Sequence, residues 1–106
     1  MDIDDKMTEW LHALSKGSYA AFESLYDFYG GKLYNFIMKI SSGDKYLAEE
    51  VVQQTFIRIW EVKEKINAEK NFSSYLCVIA KNILMNAYER RMVEFIYKLF
   101  IRKRRG

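Results

Sequence analysis

The sequence predicts an all-α fold, a compact bundle of four to five helices, on three observations. Apolar residues recur at helical spacing over nearly the whole length. There is no proline and there are only five glycines in 106 residues, which leaves little to break helices or to build long structureless loops. Half of the residues are hydrophobic, enough for one core in a chain too short for a second. The expected organisation is a helical domain over residues 1–91 followed by a basic amphipathic tail over 92–106.

The first helix is expected from Asp5 to Ser15, with Met7, Trp10, Leu11 and Leu14 at helical spacing, Asp4 or Asp5 as its cap and Gly17 as its stop. Ala20, Ala21, Phe22, Leu25, Tyr26, Phe28 and Tyr29 then make a second helix, which the Gly30-Gly31 pair interrupts as a bend or a boundary. A third segment resumes at Lys32 with Leu33, Phe36, Ile37 and Ile40, and ends in the turn signal Ser41-Ser42-Gly43-Asp44. The aromatic cluster from Tyr19 to Phe36 has the spacing of core packing rather than of a base-stacking platform.

Tyr46 to Ile66 reads as a long amphipathic helix capped by Asp44. At about 100° per residue, Ala48, Val52, Thr55, Phe56, Ile59 and Ile66 share a core face. Glu50, Gln53, Gln54, Ile57 and Glu61 lie opposite, with Trp60 on the margin. Such a mixed surface suits a partner, but single exposed apolar residues are common on monomers, and the residues alone leave both readings open. The polar stretch NAEKN separates this helix from the next, which Ser73 or Ser74 is placed to cap. From Ser74 to Arg91, Leu76, Ile79, Ala80, Ile83, Leu84 and Ala87 form a buried stripe. Tyr75, Val78, Lys81, Asn82, Met85, Asn86 and Glu89 form the opposite face. Those side chains can stack on bases, hydrogen-bond their edges and neutralise phosphate; the alternative is a second packing layer. Beyond Arg91 the helical spacing continues through Val93, Phe95, Ile96, Leu99 and Phe100 to a closing basic cluster. Leaving these side chains in water is costly, so they are expected to pack on this domain or on a neighbouring copy.

Seventeen basic and fourteen acidic residues give a net charge of +3, and residues 89–106 hold seven of the basic and two of the acidic ones. Residues 89–106 therefore carry +5 and the rest −2, a distribution that attracts phosphate or an anionic membrane surface. Cys77 is the only cysteine, which fits a reducing compartment such as the cytoplasm. No stretch approaches the roughly 20 apolar residues of a membrane span, and the acidic start is unlike a signal peptide. His12 is solitary, and neither metal-ligand spacing, a phosphate loop nor a nucleophile elbow is present. Neither catalysis nor a metal or other cofactor is expected.

The strings GSYAAFESLYDFYGGKLYNFIMKISSGDKYLAEEVVQQTFIRIWE and FSSYLCVIAKNILMNAYERR, which together span roughly residues 17–91, resemble region 2 of the extracytoplasmic-function sigma factors of bacterial RNA polymerase. The aromatic-rich style is similar to that of the Bacteroides group. The resemblance implies that the outward face of the long helix, at Glu50, Gln53, Gln54, Ile57 and Trp60, docks on the coiled coil of the largest subunit of the RNA polymerase core. It further implies that the next loop and helix melt the −10 promoter element and hold its non-template strand, with one base flipped into a protein pocket. The matching DNA-binding positions are Asn67 to Asn71, Phe72, Ser74, Tyr75, Val78, Lys81, Asn82, Asn86, Arg90 and Arg91. Val78 stands where housekeeping members usually carry tryptophan, so melting is expected to be restricted to strong promoters. Longer members add a helix-turn-helix domain for the −35 element, which this sequence does not include. Two other readings are a helical protein-interaction module without DNA contact, for example one binding an anti-sigma factor, and a membrane-surface protein using the tail.

Overall fold

The computed structural model describes residues 3 to 105. They form α1 (Ile3–Ser15), α2 (Tyr19–Ile40), α3 (Lys45–Glu61), a single 3-10 turn (Lys63–Lys65) and α4 (Phe72–Arg105), with no strand among them. One core joins all four helices, built on Leu11 and Leu14 of α1, Leu25, Leu33 and Ile37 of α2, Leu47, Phe56 and Ile59 of α3, and Leu76 and Leu84 of α4.

α1 begins at Ile3, so Asp4 and Asp5 sit in its first turn instead of capping it. Gly17 stops it as expected: at φ 87° its N–H donates to Leu14 O (2.8 Å), and Ser18 N–H donates to Ala13 O (3.1 Å). This pair of bonds closes a helix through a left-handed glycine. Ser18 then opens α2, its Oγ accepting from Ala21 N–H at 3.1 Å.

The expected break at Gly30-Gly31 is absent, and α2 runs unbroken through both. A helical glycine costs only about 1 kcal/mol relative to alanine, and the burial of Leu25, Leu33 and Ile37 on either side offsets it. Gly30 is itself buried, with the Tyr26 ring lying over it. The bundle therefore has four helices. α2 ends where Ser42 (φ 57°) and Gly43 (φ 86°) both turn left-handed. Asp44 then caps α3, its Oδ1 accepting from Leu47 N–H at 3.0 Å.

α3 stops at Glu61, short of the expected Ile66, because Val62 closes the last turn and the chain tightens into Lys63–Lys65. Its buried set is wider than the single stripe expected, adding Leu47 and Val51 to Ala48, Val52, Thr55, Phe56 and Ile59. The widening follows from α2 and α4 both packing against it. Thr55, fully buried, donates its hydroxyl to Val51 O at 2.7 Å, so its burial leaves no polar atom unsatisfied.

α4 begins two or three residues earlier than a Ser73 or Ser74 cap would set it. Asn71 Oδ1 accepts from Ser74 N–H at 3.0 Å and provides the cap. Phe72, Leu76, Ala80, Leu84 and Ala87 are its buried stripe. The helix then continues without interruption to Arg105, and the large apolar side chains from Met92 to Phe100 are all exposed. The expectation that they pack on this domain is not met. At about 1.5 Å per residue the 34 residues of α4 span about 51 Å against about 33 Å for the 22 of α2, so the second half of α4 has no helix beside it. At the point of departure, Arg91 Nη1 donates to Asp44 Oδ2 at 3.2 Å and ties α4 to the start of α3.

Candidate functional site

The outward face of α3 carries Glu50, Gln53 and Ile57 in the open, Ile57 being 60% exposed. Gln54 is half-buried, and its Nε2 donates to Glu50 Oε1 at 2.9 Å across one helical turn. Trp60 is not a bare plate beside them. Tyr19 stacks on it at 4.8 Å and 10°, Phe22 meets it edge-on at 5.5 Å, and Lys63 Nζ sits 4.2 Å from its ring centroid. The indole is thus held by α2 and the 3-10 turn. Tyr19, 76% exposed, extends the same surface onto α2. Sequence reading placed Tyr19 in the core, because its approach to Trp60 is tertiary and leaves no local signal.

The outward face of α4 presents Tyr75, Val78, Lys81, Asn82, Met85, Asn86 and Glu89, all exposed, as the helical spacing requires. Ser74 and Arg90 are exposed too. In the loop before it, Asn67 Oδ1 accepts from Glu69 N–H at 2.9 Å and Lys70 N–H reaches Asn67 O at 3.2 Å. Asn67 and Asn71 thus use their carbonyl oxygens to shape the loop and cap α4, leaving their amide donors for a ligand. Phe72 is a correction: 4% exposed and 5.4 Å from the Tyr29 ring, it belongs to the core and has no surface to offer a base. Its neighbours Ala68, Glu69, Lys70 and Asn71 line an open cleft with Met7, Thr8 and Tyr29.

Arg91 is engaged with Asp44. The Leu47 N–H bonded to the Asp44 carboxylate, and then the Arg91 guanidinium, hold that carboxyl below its ordinary value. Arg90 stands beside this pair on the exposed surface.

A single open groove joins the two faces. Gln54, Ile57, Arg58 and Glu61 of α3 look across it at Tyr75, Ile79, Asn82, Ile83 and Asn86 of α4. It brings together carboxamides, a phenol, a guanidinium and a carboxylate over an aliphatic floor, a set suited to recognition. Arg58 escaped the sequence reading, although its spacing of four from Gln54 and one from Ile57 puts it on that flank. No group of three or more His, Cys, Asp or Glu side chains converges among the described residues, and none of their helices is long and apolar enough to cross a membrane.

The chain is an all-helical bundle that belongs to the sigma-70 region 2 family, which matches residues 25–93. Within that family it is a region 2 of the extracytoplasmic-function kind. It is 32% identical over 77 residues to the ferric citrate uptake sigma factor FecI of Escherichia coli (strain K12), covering 72% of this chain and 43% of that protein. It is 31% identical over 77 residues to the ECF RNA polymerase sigma factor SigL of Mycobacterium tuberculosis (strain ATCC 25618 / H37Rv), covering 72% and 42%. With the ECF RNA polymerase sigma factor SigW of Bacillus subtilis (strain 168) the identity is 26% over 82 residues, covering 77% and 43%. The chain spans less than half the length of these relatives. No solved structure matches it significantly.

Proposed function

We propose that this chain is a transcription initiation module that docks on the RNA polymerase core through α3 and holds the non-template strand of the −10 element along α4 and the 67–71 loop. The observation that carries the reading is the open groove that sets Gln54 and Ile57 of α3 against Tyr75, Asn82 and Asn86 of α4. One surface can thus meet polymerase on one wall and DNA on the other. Glu50, Gln53, Gln54, Ile57 and the clamped Trp60 form the polymerase side, opposite the largest-subunit coiled coil. On the DNA side, Tyr75 and Val78 offer stacking and apolar contact, Asn82 and Asn86 offer paired donors and acceptors, and Lys81 and Arg90 offer charge to phosphate. The cleft bounded by residues 68–71 is where a flipped base would sit. Unstacking a base costs a few kcal/mol, which stacking at about 1–3 kcal/mol per base offsets, and no bond is made or broken. The place of action is the cytoplasm, with the polymerase.

Core-polymerase capture separates this reading from a helical module that binds a different protein. Gln53→Ala with Ile57→Ala should weaken capture while leaving helicity intact, since both side chains are exposed. In single-strand binding, Lys81→Ala should lower affinity for all sequences and reduce the salt slope by about one. Asn82→Ala should relax base preference at one position, at about 1–3 kcal/mol. Undiminished capture by the double variant, with identical losses on every sequence for Lys81→Ala and Asn82→Ala, would sink the reading.

A further inference from the structure

The second half of α4 carries a surface that promoter reading does not use. Along residues 92–101, Lys98 and Glu94 are the only charged residues, and Phe95, Ile96 and Phe100 are 60%, 53% and 64% exposed. Val93, Ile96, Tyr97, Phe100 and Ile101 line one shallow apolar groove edged by Arg104. We infer that this half of α4 docks lengthwise on an anionic lipid surface.

Three features select that occupant over a second copy of the chain. At about 100° per residue the apolar side chains from Phe95 round to Ile101 fill an arc of about 240°, far wider than the narrow seam along which two helices pair. A bilayer interface accepts such breadth because it wraps the sides of a helix as well as its base. Within the described residues the remaining polar arc is basic at Lys98 and Arg102, with Glu94 its single acid, so its charge complements anionic headgroups. Lys103 and Arg104 fall inside the apolar arc. In a parallel helix pair they would bring like charges to the seam, whereas at a bilayer their long stems lie along the apolar surface and lift the cations to the headgroups.

The test uses the whole chain, vesicle flotation and sedimentation velocity. The chain should float with phosphatidylcholine vesicles containing phosphatidylglycerol and not with phosphatidylcholine alone, and added salt should release it. Ile96→Gln with Phe100→Gln should abolish flotation with helical content unchanged. Lys98→Glu with Arg102→Glu should lower anionic-vesicle affinity about tenfold or more. The inference is overturned if the chain stays off anionic vesicles, or if the Ile96/Phe100 variant floats like the parent. It is equally overturned if the chain sediments without lipid as a dimer that the Ile96/Phe100 pair dissociates, which would make a second copy the occupant. Core-polymerase capture is independent of all these outcomes.

Discussion

The two halves of α4 share one backbone and almost nothing else. From Phe72 to Ala87 every third or fourth side chain is buried against α2 or α3; from Met92 to Phe100 none is. The first half is helical because the bundle needs its stripe, and the second because it extends a helix already nucleated. Helical identity is therefore local along this chain, whereas position is fixed only where a stripe is covered.

The largest expected effect tests that division directly. Leu84→Ala should cost about 2–5 kcal/mol, because the side chain is buried and its loss leaves a cavity. Phe100→Ala removes a larger group yet should stay within about 0.5 kcal/mol, as for other exposed changes. Urea unfolding of both variants decides the matter, and comparable midpoint shifts would break the distinction.

A smaller effect sharpens it. A Cβ on Gly31 would meet nothing within 4 Å, and the position is mid-helix, so Gly31→Ala should stabilise by about 0.5–1 kcal/mol. Arg102→Gly has a propensity change of the same size and opposite sign. It should lower the helical circular dichroism signal while leaving the urea midpoint unmoved, because fraying of the distal half is uncoupled from global unfolding.

The smallest effect lies at the boundary. The Asp44 carboxyl is held below its ordinary value, so its ionised form contributes stability at neutral pH, and that contribution is lost as pH falls through the lowered value. Asp44→Asn keeps a capping oxygen for Leu47 but discards the charge facing Arg91. Parent and variant should differ in melting temperature near neutrality, and converge once the solution is more acidic than the ordinary aspartate range. The part owed to Arg91 should also shrink with salt; a gap that persists in acid would mean that the carboxylate charge, felt by the Leu47 N–H and by Arg91, is not its source.

The helical class was legible because apolar spacing survives even where packing does not, which is also why the second half of α4 was readable as helix although it does not pack on this domain. Gly30-Gly31 misled because a glycine pair is ordinarily a breaker; the Tyr26 ring covering Gly30 is a tertiary fact with no local trace. The exposed faces at Gln53, Ile57, Val78 and Asn82 followed from helical geometry, since an amphipathic helix has one inside. Phe72 was carried to the DNA surface by the resemblance, whereas the helix that Asn71 caps turns its side chain into the core. Tyr19 and Arg58 were missed for different reasons: one pairs across a long sequence separation, while the other belongs to a groove that exists only after α3 and α4 meet.

Because α4 has no break between Asn71 and Arg105, its two halves are locked in rotational phase like the ends of a keyed shaft. Counted at about 100° per residue, the apolar arc centred near Ile96 and Phe100 lies at nearly the same azimuth as Tyr75, Val78 and Asn82, and the basic arc continues the line of the buried stripe. Whatever covers the apolar arc must approach from the side that Asn82 faces. Deleting one residue between Arg91 and Val93 would swing that approach by about 100°, whereas inserting four would return it to within about 40°. The chain thus carries a geometric dial, set by residue count alone, that decides whether its two exposed surfaces compete for one side of the helix or look away from each other.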